Sequence, residues 1–118
     1  MHAKIATIPK VAAFEVGFLR KIRNRIRAID GNAEVFLFGS RARGDNRYDS
    51  DYDILVLSET FAQLSPEERW RWFYNNIMTD REDTALQPQL WTPCEWRQMA
   101  GSLLHSEVTR DMLTLADL

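Results

Sequence analysis

The chain has 118 residues and a net charge of −2, with 45% apolar and 11% aromatic residues, a composition that supports a packed core and excludes a disordered tract. No apolar run approaches the ~20 residues of a membrane span, and the N-terminal MHAKIATIPK has no signal-peptide core. A single cysteine, Cys94, excludes an internal disulfide and a cysteine zinc site.

These features read as a cytoplasmic protein of bacterial type, with one domain over residues 1–118. Its charge is uneven. Through residue 53 there are 10 basic and 7 acidic side chains; beyond it there are 5 and 10. A basic first half could meet phosphates, whereas the acidic second half argues against broad cover of a nucleic-acid backbone.

Residues 10–30 carry Phe14, Phe18, Ile22, Ile26 and Ile29 at steps of three or four, which predicts a helix with one apolar stripe. Arg20, Lys21, Arg23, Arg25 and Arg27 fall on the opposite side and read as a solvated face, and Gly31-Asn32 is a stop signal. Residues 34–38, EVFLF, predict a buried strand that Gly39 ends. A short helix over 40–44, a loop over 45–50 and a second strand over 51–57, DYDILVL, follow.

Ser65-Pro66-Glu67-Glu68 is a capping box with proline at the first helical position. The helix it opens should run to about Met78 and bury Trp70, Phe73, Tyr74 and Ile77. Trp70 and Trp72 cannot share a helix face, so one of them should sit off the core; an exposed Trp72 would mark a partner surface. Residues 80–84 read as a charged connection. Residues 85–91, ALQPQLW, predict a weak third strand that Pro88 either confines to a sheet edge or kinks. Thr92 to Glu95 form another capping box, opening a helix that buries Trp96, Met99, Ala100, Leu103 and Leu104. A last helix, about 106–116, buries Val108, Met112 and Leu115. His2, His105 and Cys94 have no catalytic partner in pattern. Strands separated by helices favour an α/β or α+β layer architecture.

Residues 35–57, VFLFGSRARGDNRYDSDYDILVL, set acids and arginines around a Gly-Ser turn between two apolar runs. A P-loop is rejected, because Asp45 and Asn46 follow Gly44 where Lys and Ser/Thr belong. A calcium hand is rejected too, because Ile54 and Thr60 stand where it needs glycine and glutamate. A third arrangement fits: Gly39-Ser40, ten residues, then Asp51-Tyr52-Asp53. A Gly-Ser turn after a strand points backbone N–H groups and a hydroxyl at an anion. Asp51 and Asp53, two apart on a predicted strand, leave the same face and can share hard divalent cations, magnesium above all. Two-metal phosphoryl-transfer sites hold their ions roughly 3.5–4 Å apart. Arg41 and Arg43 could add positive charge near the phosphates.

This stretch resembles the minimal nucleotidyltransferases of the DNA polymerase β-like superfamily, whose motif is a Gly-Ser pair followed at short range by Asp-x-Asp. GSRARG with SDYDILV is similar to the small prokaryotic branch that includes antitoxin partners of HEPN-domain toxins, and WTPCEW resembles that group's strand-to-helix junction. The resemblance implies a small nucleotidyltransferase core, a short mixed sheet with helices packed on it. It implies that Gly39 and Ser40 hold the triphosphate of a nucleotide such as ATP. Asp51 and Asp53 would bind two magnesium ions while a nucleoside monophosphate is transferred and pyrophosphate leaves. It also implies a core without the second domain of larger members, so that the acceptor is delivered by another chain, a HEPN toxin, or by a homo-oligomer.

The superfamily's third carboxylate falls at Gln87, counting back from Thr92-Pro93, and Gln89 is not acidic either. Glu82 and Asp83 would replace it only with a register shift. Three functions are therefore carried forward: transfer of AMP from ATP to a hydroxyl of a partner protein, a binding-only antitoxin, and a small-molecule nucleotidyltransferase of the aminoglycoside-modifying kind.

Overall fold

A computed structural model describes residues 13–80 and 85–118. In chain order its elements are α1 (Ala13–Ile29), β1 (Glu34–Phe38), α2 (Ser40–Arg43), β2 (Tyr52–Leu57), α3 (Pro66–Asn76), β3 (Leu86–Trp91), α4 (Pro93–Gln98), α5 (Leu103–Asp111) and β4 (Leu113–Thr114), with a 3-10 turn over Glu59–Gln63. The strands form one mixed sheet in the order β3-β2-β1-β4. β1 runs antiparallel to β2 and β4, and β2 runs parallel to β3. Parallel neighbours need a crossover connection, and α3 lies in that connection. The α/β class and the short mixed sheet expected from the sequence are both present.

Each face of the sheet carries its own apolar cluster. On one face, Val35, Leu37, Ile54, Val56 and Leu86 pack with Leu19, Ile22 and Ile26 of α1 and Phe73 and Ile77 from α3 and its end. On the other, Phe36, Leu55 and Leu57 pack with Trp96 of α4 and Val108 of α5. Alternation along β1 and β2 sorts the side chains between the two.

The caps expected at Ser65 and Thr92 form. The Ser65 and Thr92 hydroxyls accept from the N–H groups of Glu68 and Glu95, and both glutamates accept in return from the cap N–H. α1 stops where the Asp30 carboxylate accepts from Asn32 N–H at 2.9 Å. Of the two expectations at Pro88, edge or kink, the sheet order shows the edge: β3 is an edge strand. Its outer side is blunted further, because Leu90 gives its carbonyl to Arg69 at 3.2 Å.

Several expectations change. Residues 10–12 of the first helix, the Phe14 side chain, and residues 81–84 with Glu82 and Asp83 lie outside the described residues. Ile29, the last residue of α1, is exposed. Arg23, expected on the solvated face, is buried and donates to the carbonyls of Leu115 and Ala116 at 3.0 and 3.2 Å. On α3 the buried positions are Arg69 and Phe73, whereas Trp70 and Tyr74 are exposed. Trp72 packs edge-on against Phe61 instead of standing free.

The fourth helix ends at Gln98, because Gly101 turns the chain at φ +93° and Ser102 caps a new one. Leu103 and Ala100 are consequently exposed. The last helix stops at Asp111, and the chain becomes a strand in which Leu113 pairs with Leu37. Leu113 and Leu115 are two apart, the period of a strand and not of a helix.

Candidate functional site

The site lies where β1 and β2 end side by side. β1 delivers Gly39 and Ser40; β2 begins at Tyr52, one residue after Asp51. Gly39 adopts φ 75° and ψ −155°, a region essentially closed to residues with a Cβ. Its carbonyl accepts from Ala42 and Arg43 N–H at 3.1 and 3.0 Å, which starts α2. Gly44, at φ 83°, ends that helix with its N–H on the Ser40 carbonyl at 2.8 Å. A glycine cap brings no side chain, so the N–H groups of Ser40 and Arg41, which precede those bonded to Gly39, take no side-chain cap and face solvent or a ligand.

Asp53 pairs with Phe38 on one side and Gln87 on the other. A Cβ built on Gly39 would collide with the Asp53 carboxylate. The bare α-carbon therefore lets the Gly-Ser turn close directly over this acid. Burial pushes the Asp53 carboxyl above its ordinary value, the charge of Asp51 pushes it further, and Arg43 opposes both. Asp51 itself is exposed.

The two arginines differ. Arg43 bridges two acids, Asp45 at 3.0 Å and Asp111 at the end of α5 at 3.2 Å; these bonds hold its guanidinium above the usual value. Burial disfavours the charged form of Asp111, but Arg110 and Arg43 outweigh it and keep the carboxyl below its ordinary value. Arg41 is buried in an ion pair with Glu15 at 2.8 Å. Gly39, Ser40, Asp51, Asp53 and Arg43 thus gather at one end of the sheet, whereas the guanidinium of Arg41 is taken up by Glu15 and the carbonyls of Tyr48 and Ser50.

Among the described residues, no group of three or more His, Cys, Asp or Glu side chains stands ready to hold a metal. The donor set is the carboxylate pair Asp51 and Asp53. It fits a magnesium ion that keeps several of its ligands from water and phosphate oxygens. Burial, and after it the charge of Asp51, raises the Asp53 carboxyl, and a cation there would relieve the repulsion between the two acids. The register makes Gln87 the strand neighbour of Asp53.

Sequence reasoning missed Glu15, Asp111 and the packing role of Tyr52. For Glu15 a signal existed. Positions 15, 19, 22 and 26 share one helical stripe, so an acid there faces the core and requires a cation. Asp111 has no sequence signal, since its neighbours become close only when β4 docks on β1. A cavity of about 460 Å³ lined by Phe18, Arg41, Tyr48, Asp49, Ser50, Tyr52 and Ala85 opens on the Tyr52 side; neither Asp51 nor Asp53 lines it. Among the described residues no helix is long and apolar enough to cross a membrane.

The solved structures that share the fold include the following two. One is a Sulfolobus solfataricus protein assigned as a nucleotidyltransferase, 23% identical, with a TM-score of 0.58, covering 84% of this chain and 77% of its own. The other is a toxin–antitoxin structure solved with AMP-PNP, 24% identical, with a TM-score of 0.57, covering 80% of this chain and 69% of its own. No curated protein matches the chain. The family model described as a nucleotidyltransferase domain matches residues 19–93, which contain the Gly-Ser turn, both aspartates and β3. The chain belongs to the nucleotidyltransferase domain family.

Proposed function

We propose that this protein, as a single domain, transfers AMP from ATP to a hydroxyl of a partner protein, and that the partner is a HEPN-type toxin for which it is the antitoxin. The observation that carries the reading is the closure of the Gly39 turn over Asp53. With the turn backbone against the Asp53 carboxylate, this contact supports one phosphate being met by both, the backbone directly and the acid through a metal. The toxin–antitoxin structure with AMP-PNP supports a toxin partner and an adenine nucleotide by likeness of fold.

In this reading the first-turn N–H groups and the Ser40 hydroxyl hold the β- and γ-phosphates. Asp51 and Asp53 hold magnesium, which when bound would offset phosphate charge and align the attacking oxygen. Arg43, exchanging its hold on Asp45, meets the outer phosphate charge. The acceptor oxygen bonds to the α-phosphorus, the bond from that phosphorus to the pyrophosphate oxygen breaks, and the acceptor proton passes to Asp53. Mass spectrometry of a cognate toxin after incubation with Mg-ATP should show added AMP that depends on Asp53. A toxin that gains no such mass would end this reading.

One observation favours a second reading, a binding-only antitoxin. Gln87 stands beside Asp53, and an amide neither accepts the acceptor's proton nor binds magnesium well. Under that reading Asp53→Asn neutralises the toxin as well as the native chain does.

A further inference from the structure

Arg41 belongs by its backbone to the phosphate turn, one residue past Ser40, but its side chain grips the other end of the motif. Nε and Nη2 donate to the Ser50 carbonyl at 3.1 and 2.7 Å, and Nη2 donates to the Tyr48 carbonyl at 3.1 Å. Nη1 donates to Glu15 Oε1 at 2.8 Å. The guanidinium lies over the Tyr52 ring, 4.3 Å from its centre. The Tyr52 hydroxyl is hydrogen-bonded to Glu15 as well. Glu15, Arg41 and Tyr52 are each more than nine-tenths buried.

Tyr52 stands between Asp51 and Asp53. Ser50 immediately precedes Asp51. The loop that leads into the acid pair is therefore tied, through one guanidinium on the Ser50 and Tyr48 carbonyls and the Tyr52 ring, to the turn that carries Gly39 and Ser40. The planar fork of Arg holds two carbonyls and a carboxylate in one fixed geometry, which the rotatable ammonium of a lysine does not impose. A buried ion pair contributes little net stability, and its best-supported use is to specify one arrangement among several. Here the arrangement it specifies is the spacing between turn and acids.

We infer that Arg41 and Glu15 are positioning residues that fix the separation of the Gly39–Ser40 turn from Asp51 and Asp53. Glu15 orients Arg41, and Arg41 acts on the site by holding its loop. The inference rests on the nucleotidyltransferase reading above for what the site binds, but the clamp itself is testable without nucleotide.

The experiment compares the native full chain with Glu15→Gln and with the double variant Glu15→Leu/Arg41→Met. The double variant removes both charges and keeps apolar volume, a replacement that folds tolerate well. Amide hydrogen exchange is read at Ser50 to Asp53 against Leu55 to Leu57. The magnesium concentration for half-maximal ATP binding is read in parallel.

In the double variant the Ser50–Asp53 amides should exchange at least about tenfold faster while Leu55 to Leu57 stay protected. Its magnesium midpoint should rise about tenfold, the usual scale for residues that orient metal ligands. A purely structural pair would be rescued by the apolar replacement and leave both readouts native, which would overturn the inference. If the native chain shows no magnesium-dependent ATP binding, the functional reading fails. The exchange measurement still decides the clamp: faster Ser50–Asp53 exchange upholds it and native exchange overturns it.

Discussion

The α-carbon of Gly39 and the carboxylate of Asp53 occupy one contact with no room for a methyl group between them. The contact joins the end of β1 to the start of β2, where Asp53 pairs with Phe38. It is the point at which the Gly-Ser turn meets the acid pair, and where the proposed function would join phosphate binding to metal binding.

Gly39→Ala tests this contact twice. The backbone at φ 75° is strained for alanine, and the new methyl must displace Asp53. Denaturant unfolding should show a loss of about 1–3 kcal/mol. ATP binding in magnesium should fall more than that loss explains, because Asp53 moves. Native-like binding in a destabilised variant would show that the turn and the acid act separately.

Gln87→Asp restores a carboxylate beside Asp53. Adding a charged ligand tightens cation sites, so titration calorimetry should find magnesium-dependent ATP binding about tenfold tighter. The ligand-free variant should be less stable, since three acids then repel one another. Unchanged magnesium dependence would place residue 87 outside the site.

The Gly-Ser turn, the ten-residue spacing and the Asp-x-Asp pair were readable because each is a local pattern of residue types. Both capping boxes were readable for the same reason, and so was the edge position of β3, since proline cannot donate to a second neighbour. Arg41 was not readable. Its partners Glu15 and Tyr52 come from α1 and β2, and only tertiary packing joins them. β4 was hidden by length, because two residues give a period little room to appear. The outward turn of Trp70 and Tyr74 was missed because apolar character was taken for burial on a helix whose buried stripe includes Arg69.

That stripe can be checked directly. Phe73 is wholly buried and Trp70 is 45% exposed, so Phe73→Ala should cost about 3–5 kcal/mol. Trp70→Ala should cost a small fraction of that. Equal costs in thermal or denaturant unfolding would reverse the assigned face of α3.

Arg69 and Glu95 give a pH-dependent term. They meet through paired bonds of 2.8 Å each, and Glu95 also accepts from Thr92 N–H. Hydrogen bonds from Arg69, then Thr92, lower the Glu95 carboxyl from 4.5 to about 2. A lowered carboxyl stabilises the fold above its unfolded value and loses that stabilisation as pH falls through the folded one. Glu95→Gln keeps the cap but not the charge. With Glu95 partly exposed, solvent screening holds the difference to about 1 kcal/mol at pH 7. The native chain's advantage should shrink between about pH 4.5 and 2 and vanish below. A difference independent of pH would assign the effect to packing.

The measurement that bears most directly on the central claim is calorimetry of ATP into the purified chain, with and without magnesium, for the native protein and Asp53→Asn. Magnesium-dependent binding in the native chain that disappears in the variant is the predicted result. Equal binding by the two proteins, or none by either, would contradict the site built from Gly39, Ser40, Asp51 and Asp53.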